Sequence, residues 1–405
     1  MKSLAPSGSA TPAGEPVPRI HGRCPGALRP MMSGDGLVLR LRPRLARFTR
    51  DQVLGICDAA QRHGAGVIDI TSRANLQLRG VAEADWPLLL ARFGDMGLLD
   101  DSSDLEARRN VLVTPDWTPG DANTCIATEL IARLAELPPL PAKVGFAIDA
   151  GPAPSLLRDS ADFRIERGAH GGLILRADGR PHGVPVDAGQ AVEGLIALAR
   201  WFVDSAGSVA GRMARHHAPL PEWARGDALP GAPGPALRTG AHPLGFVCGL
   251  PFGQVEAARL ARAVLACGAT ALRITPWRRV LFEGVGDKLP SPLDPDAPDI
   301  DAVAAAGWRV EACAGAPFCP QASVDTRALA FRLMRLAQRG MLQAPSSAGL
   351  RVVHVSGCAK ACAYPQSATI NVMGRAGAFD LGWQTASPLH VGLSADAVVS
   401  HLECC

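Results

Sequence analysis

Lysine is almost missing from this chain: only Lys2, Lys143, Lys288 and Lys360 occur, so 37 of its 41 basic residues are arginine. Long apolar runs are missing too. No stretch of 18 apolar residues exists, and no segment has the charged, apolar and small-residue zones of a signal peptide. These absences set aside a spanning helix and secretion. They lead us to expect a reducing cytoplasm, where clustered cysteines bind metal more often than they pair. A net charge of only +3 leaves no basic surplus for nucleic acid or a membrane surface. No Gly-x-Gly-x-x-Gly follows an expected strand, so a dinucleotide would not dock here in the Rossmann manner. Base composition explains much of the arginine count, because alanine, glycine and proline are abundant with it; arginine is nevertheless the side chain best fitted to grip carboxylates bidentately.

What the chain does have is length and internal repetition. Its 405 residues, 47% of them hydrophobic, suffice for two or three packed domains. Residues 1–18 are small, polar and Pro-rich, and residues 1–28 read as a tail. Pro-rich stretches at 216–243 and 286–300 read as connectors. On either side of the first lies a repeat: Ile68–Val81 (IDITSRANLQLRGV) matches Leu272–Val285 (LRITPWRRVLFEGV), pairing Ile70 with Ile274, Thr71 with Thr275 and Gly80 with Gly284 at an offset of 204. Each copy opens with an apolar strand (37–41; 244–250), continues into a helix-period segment (49–62; 254–266) and ends in paired strands. Strands at 144–148, 172–176 and 351–356 and helices at 190–203 and 325–338 complete a mixed α/β class with a pseudo-twofold.

The cysteines carry the strongest chemical signal. Cys313 and Cys319, with five residues between them, precede the helix at 325–338, and Cys358 and Cys362, with three between them, follow the strand at 351–356. Four soft thiolates arriving from two loops suit an iron–sulfur cubane. Structural zinc competes, although its pairs keep gaps of two to four residues, and free redox thiols remain a third option. Cys57, Cys248 and Cys267 sit in apolar surroundings and read as small hydrophobes. Cys24, Cys125 and the terminal Cys404–Cys405 pair have no assigned role. His216–His217, within the Pro-rich connector, reads as solvated.

At these residues the sequence resembles the siroheme-type nitrite/sulfite reductase superfamily, over roughly residues 29–375. Thr71-Ser-Arg73-Ala-Asn-Leu-Gln77-Leu-Arg79-Gly80, Arg109-Asn110-Val111 and Leu140-Pro-Ala-Lys143 look like its anion-binding motifs. The resemblance implies an α+β fold with two ferredoxin-like half-domains (29–105 and 244–300) and two α/β domains (106–215 and 301–405), the second carrying a [4Fe–4S] cluster on Cys313, Cys319, Cys358 and Cys362. It implies that Arg73, Arg109 and Lys143 act in catalysis. Together with Gln77, Arg79, Asn110, Arg273, Arg278 and Arg279 they would meet the carboxylates of a tetrapyrrole between the two halves.

Two departures stand out. Where a reductase keeps a second lysine this chain has Gly145, and where it keeps a histidine this chain has Arg79. Gly34-Asp-Gly36 after Arg29-Pro-Met-Met, Ile274-Thr-Pro-Trp-Arg278 and Gly357-Cys-Ala-Lys-Ala-Cys362-Ala-Tyr-Pro365 look more like the superfamily's branch in aerobic cobalamin biosynthesis. That resemblance implies a monooxygenase acting on precorrin-3A with O2 and NADH, directly or through an electron-transfer partner. It also implies a mononuclear non-haem iron, for which no ligand set declares itself. Lys360, between two cluster cysteines, would either stabilise a reduced cluster or project into solvent. A siroheme-dependent nitrite or sulfite reductase, and a carrier without catalysis, are the alternatives.

Overall fold

The computed structural model describes residues 25–286, 293–343, 349–364, 366–384 and 388–403. The expected tail at 1–18, Cys24, Lys288, Pro365 and the Cys404–Cys405 pair lie outside the described residues. Among the described residues, no helix is long and apolar enough to cross a membrane.

Two of the four sheets belong to the repeat. The first runs β1 (Met31–Ser33), β2 (Gly36–Leu41), β5 (Leu76–Val81), β4 (Val67–Ile70) and β13 (Gln254–Glu256). The second runs β11 (Gly240–His242), β12 (Gly245–Gly249), β15 (Arg279–Glu283), β14 (Ala271–Ile274) and β3 (Arg47–Thr49). All pairings in both are antiparallel. Each sheet therefore ends on a strand borrowed from the other copy: β3 of the first copy pairs with β14, and β13 of the second pairs with β4. One hydrophobic core runs through both half-domains, from Leu39 and Phe48 to Leu272 and Phe282.

A helix follows each exchanged strand. Arg50–His63 opens on a capping box, Thr49 accepting from the Gln52 backbone and the Gln52 side chain accepting from Thr49, and it buries Val53, Ile56, Cys57 and Ala60 at helical spacing. It packs against Ala257–Cys267. The second helix is three residues shorter, 11 against 14. This explains a limit of the repeat: the offset is 204 after the helices but 207 at the exchanged strands, where Arg47 answers to Gln254. The helix expected from Gln254 begins only at Ala257, because Gln254–Glu256 is spent as the exchanged strand.

The other two sheets repeat one another as well. β6 (Val111–Val113), β7 (Phe146–Asp149) and β8 (Phe163–Arg167) are parallel, then β9 (Leu173–Ala177) and β10 (Val184–Val186) are antiparallel. β16 (Trp308–Ala312), β17 (Arg351–Ser356), β18 (Ile370–Arg375), β19 (Ala378–Trp383) and β20 (His390–Leu393) have the same order and directions. A helix crosses from first to second strand in each, Ala122–Ala132 and Thr326–Gln338, and another follows the fifth strand, Ala191–Asp204 and Ala395–Leu402. Each sheet has its own core.

The Pro-rich stretch at 216–243 is more structured than its composition suggests. Its end is edge strand β11, and Ala228 and Pro230 bridge to Gly183 and Gly168. His216, expected to be solvated, is buried: its ring lies 5.3 Å from that of Trp201 and 5.4 Å from that of Phe202, and Nε2 meets Ser205 Oγ at 2.8 Å. His217 is exposed.

Because Phe48 is fully buried and sits on an exchanged strand opposite Leu272, Phe48→Ala should cost about 3–5 kcal/mol. Guanidinium unfolding should show both half-domains weakened in one transition, since they share that core.

Candidate functional site

β16 and β17 are neighbouring parallel strands, so their carboxyl ends open onto one edge of the sheet, where loops of an α/β sheet form sites. Cys313 leaves the end of β16 and Cys358 the end of β17. The Gly357 amide donates to Cys313 Sγ at 3.2 Å, and the fully buried Thr326 donates through Oγ1 to the Cys313 carbonyl at 2.9 Å. Gly357 has no room for a side chain, because a Cβ would stand 2.5 Å from that of Ala322. Burial pushes the Cys362 thiol up, the Lys360 ammonium pulls it down, and Cys313, Cys358 and Cys319 push it up again. Cys362 is therefore within electrostatic reach of the other three cysteines. Lys360 is both exposed and close enough to act on Cys362. By contrast, burial pushes Cys57 and Cys248 up to about 12, the behaviour of inert thiols.

All four loop cysteines are free thiols, and among the described residues no three His, Cys, Asp or Glu side chains stand as a finished metal-binding set. The donor chemistry fits a cluster: four thiols from two loops, with a backbone amide directed at one sulfur. For a mononuclear iron the described residues present no set of ligands.

The first half-domain grips the cysteine loop. At the β1–β2 hairpin, Ser33 Oγ donates to the Phe318 carbonyl at 2.8 Å, and a Cβ on Gly34 would stand 3.0 Å from the Pro320 nitrogen. Arg79 donates through Nη2 to the same carbonyl at 2.6 Å, and its guanidinium lies 5.2 Å from the Phe318 ring centre. Arg79 is also paired with Asp35 (3.4 Å) and Asp69 (3.7 Å). Asp69 binds Arg327 at 3.0 Å, at the start of the helix after the loop, and accepts from Gln254 at 3.1 Å. A residue expected to meet substrate is thus engaged as a clamp between two domains.

The other expected binding residues fall into two groups. Arg109 and Arg273 are engaged inside the protein. Arg109 makes a bidentate pair with Asp100 (2.8 Å) and donates to the Arg42 carbonyl (2.7 Å). Arg273, 1% exposed, pairs with Glu283 (3.1 Å), donates to the Pro115 and Trp117 carbonyls and stacks 4.0 Å over Trp117. Burial pushes Glu283 up, but hydrogen bonds from Arg47 and Arg273 overcome this and hold it below the usual range. Arg73, Lys143, Arg278 and Arg279 lie closer to solvent. Arg73 donates to the Lys143 carbonyl (2.8 Å) and to Ser160 Oγ (3.2 Å), Arg278 pairs with Glu311, and Arg279 pairs with Asp301. Lys143 is exposed, and Gln77 accepts from Arg40 at 2.8 Å.

Gly145 has a steric reason to be glycine. Asn110 donates through Nδ2 to the Val144 carbonyl at 2.9 Å, and a Cβ at position 145 would stand 2.6 Å from that nitrogen and 2.7 Å from the Asn110 backbone oxygen.

Sequence reasoning missed Asp159. Its Oδ2 accepts from Trp277 Nε1 at 3.1 Å, and burial pushes the carboxyl up to about 6 against the Trp277 hydrogen bond and the Arg164 charge. The signal was available: Trp277 stands 204 positions after Arg73, and both side chains reach adjacent residues of one loop.

Residues 29–96 match the family model of the nitrite/sulfite reductase ferredoxin-like half domain. A precorrin-3B synthase from a Sinorhizobium species is 29% identical over 91% of this chain and 84% of its own length. A ferredoxin–nitrite reductase from Synechococcus elongatus is 26% identical over 85% of this chain and 77% of its own. The solved structure of the Mycobacterium tuberculosis NirA protein aligns with a TM-score of 0.53 at 18% identity, covering 90% of this chain and 79% of that one, which shows a shared fold.

Gly145→Lys should not restore a reductase-like site. Forced against Asn110, it should lower the melting temperature by several degrees, as expected for about 1–3 kcal/mol of overpacking, in a calorimetric or circular-dichroism melt.

Proposed function

We propose that this chain, which belongs to the nitrite/sulfite reductase superfamily, is a precorrin-3B synthase. In this reading it is an O2- and NADH-dependent monooxygenase that hydroxylates precorrin-3A at C20 with γ-lactone formation, in aerobic cobalamin biosynthesis. The observation that carries the choice is the pair of departures from the reductase pattern. Position 145 has no room for a lysine, and Arg79 is turned onto the Phe318 carbonyl. A six-electron reduction needs proton donors at such positions; a monooxygenation does not need them there. The likeness to the Sinorhizobium precorrin-3B synthase, nearly end to end in both chains, supports the same choice.

In this reading Cys313, Cys319, Cys358 and Cys362 hold a [4Fe–4S] cluster, which supplies electrons singly to the ring site. Cys362 and Lys360 are exposed, which supports the reading that an electron-transfer partner reaches that centre. Arg73, Lys143, Arg278 and Arg279 take the ring's carboxylates, because guanidinium and ammonium donors lower the cost of burying them. Arg79, Arg109 and Arg273 act behind these, fixing the domains that carry the seat.

The test is turnover under air. Reconstituted protein given precorrin-3A and reductant should consume O2 and place one oxygen atom in the product, as read by mass spectrometry with labelled O2. Tightly bound, extractable siroheme would instead assign it to the reductases. In the same assay Arg73→Ala should weaken ring binding by roughly tenfold or more, the loss of a charge-assisted contact, with iron and sulfide content unchanged.

A further inference from the structure

Lactone closure needs a proton. As an acetate oxygen bonds to the ring carbon beside C20, the oxygen newly carried by C20 becomes a hydroxyl only by taking one up, and neither Gly145 nor Arg79 can give it.

The pseudo-twofold leads to a group that can. Thr71 and Thr275 build the same turn in the two copies: each hydroxyl accepts from the amide two residues on, Arg73 and Trp277, at 3.3 Å. The next residues, Ala74 and Arg278, both have positive φ, 52° and 58°. The two turns therefore aim Arg73 and Trp277 alike, and both reach one loop of the first α/β domain, Arg73 at Ser160 and Trp277 at Asp159. One copy supplies a cation for a substrate carboxylate; the other supplies an indole that holds a carboxyl.

We propose that Asp159, positioned by Trp277, is the proton donor for closure of the lactone, an inference that rests on the precorrin-3B synthase reading. The O2-derived oxygen bridges C20 and the neighbouring ring carbon; the acetate oxygen bonds to that carbon as its bond to the bridging oxygen breaks, and the Asp159 carboxyl proton passes to the oxygen left on C20. No electron moves through the protein in this step, and the carboxylate regains its proton from water beside the exposed Ser160. Burial is the largest influence on Asp159 and keeps it partly protonated towards neutrality. The charged groups around it are Arg164 on β8, whose Nη2 donates to the Asp159 carbonyl, and Arg73 and Arg212, both on Ser160.

The acid form is the active one, so the wild-type turnover rate should fall as pH rises through about 6. Asp159→Asn keeps an acceptor for Trp277 and should lose both that fall and about a hundredfold of kcat, with ring affinity and cluster content unchanged. Trp277→Phe removes the donor that favours the ionised form and should move the fall to higher pH, which a merely structural role would not do. An Asp159→Asn enzyme with wild-type kcat and pH profile overturns the proposal. Binding of precorrin-3A should also shift the Asp159 carboxyl band in difference infrared spectra, identified by its loss in Asp159→Asn. No shift overturns the proposal, whereas a shift without O2 uptake overturns the assigned reaction instead.

Discussion

Each half-domain sheet is completed by a strand that belongs to the other copy, and this exchange is the constraint on which the architecture depends. Arg47–Thr49 and Gln254–Glu256 are three-residue strands with little stability of their own. Their pairing brings both copies into one core, so neither half can move without breaking a ladder at the far edge of its own sheet. The exchange also fixes which loops meet. With the two β4–β5-type turns held across a pseudo-twofold, Arg73 and Trp277 reach adjacent residues of the same short loop.

The duplication preserved positions and inverted charges. Asp69 and Arg79 in the first copy correspond, 204 residues on, to Arg273 and Glu283 in the second. The first is a buried ion pair and the second a part-buried one, and each also binds the exchanged strand: Gln254 on Asp69, Arg47 on Glu283. A lone buried charge would cost several kcal/mol, so each pair also recruits backbone carbonyls or a further charge. The first pair takes the Phe318 carbonyl and Arg327, and so anchors the cysteine domain. The second takes the Pro115 and Trp117 carbonyls, and so anchors the first α/β domain. One device, read with opposite polarity, docks the two α/β domains onto the shared core.

This division bears on how arginine is used. Arg79, Arg109 and Arg273 are buried, whereas Arg73, Arg278 and Arg279, which also have carbonyl or carboxylate partners, stand nearer solvent. Guanidinium serves both purposes because its fork can satisfy several acceptors at once. In a chain with so little lysine, the residue type alone does not separate a buried arginine from one nearer solvent.

Much was legible in the residues themselves. Local patterns gave helices at 49–62 and 325–338, the strand leading to Cys358, and the repeat, because periodicity and motif spacing are properties of neighbouring residues. The two cysteine pairs were legible as a pattern, and they stand at the ends of neighbouring strands of one sheet. Short exchanged strands carry too few residues to show a period, so β3 was not seen and β13 was absorbed into the helix that follows it. The burial of His216 depended on Trp201 and Phe202 arriving from another helix. Composition and spacing therefore determined the class, the duplication and where the two cysteine pairs fall along the chain. Only the tertiary structure decided which arginines are buried clamps, why position 145 must be glycine, and that Asp159 meets Trp277 across the two halves, because each of these is a contact between residues far apart in the chain.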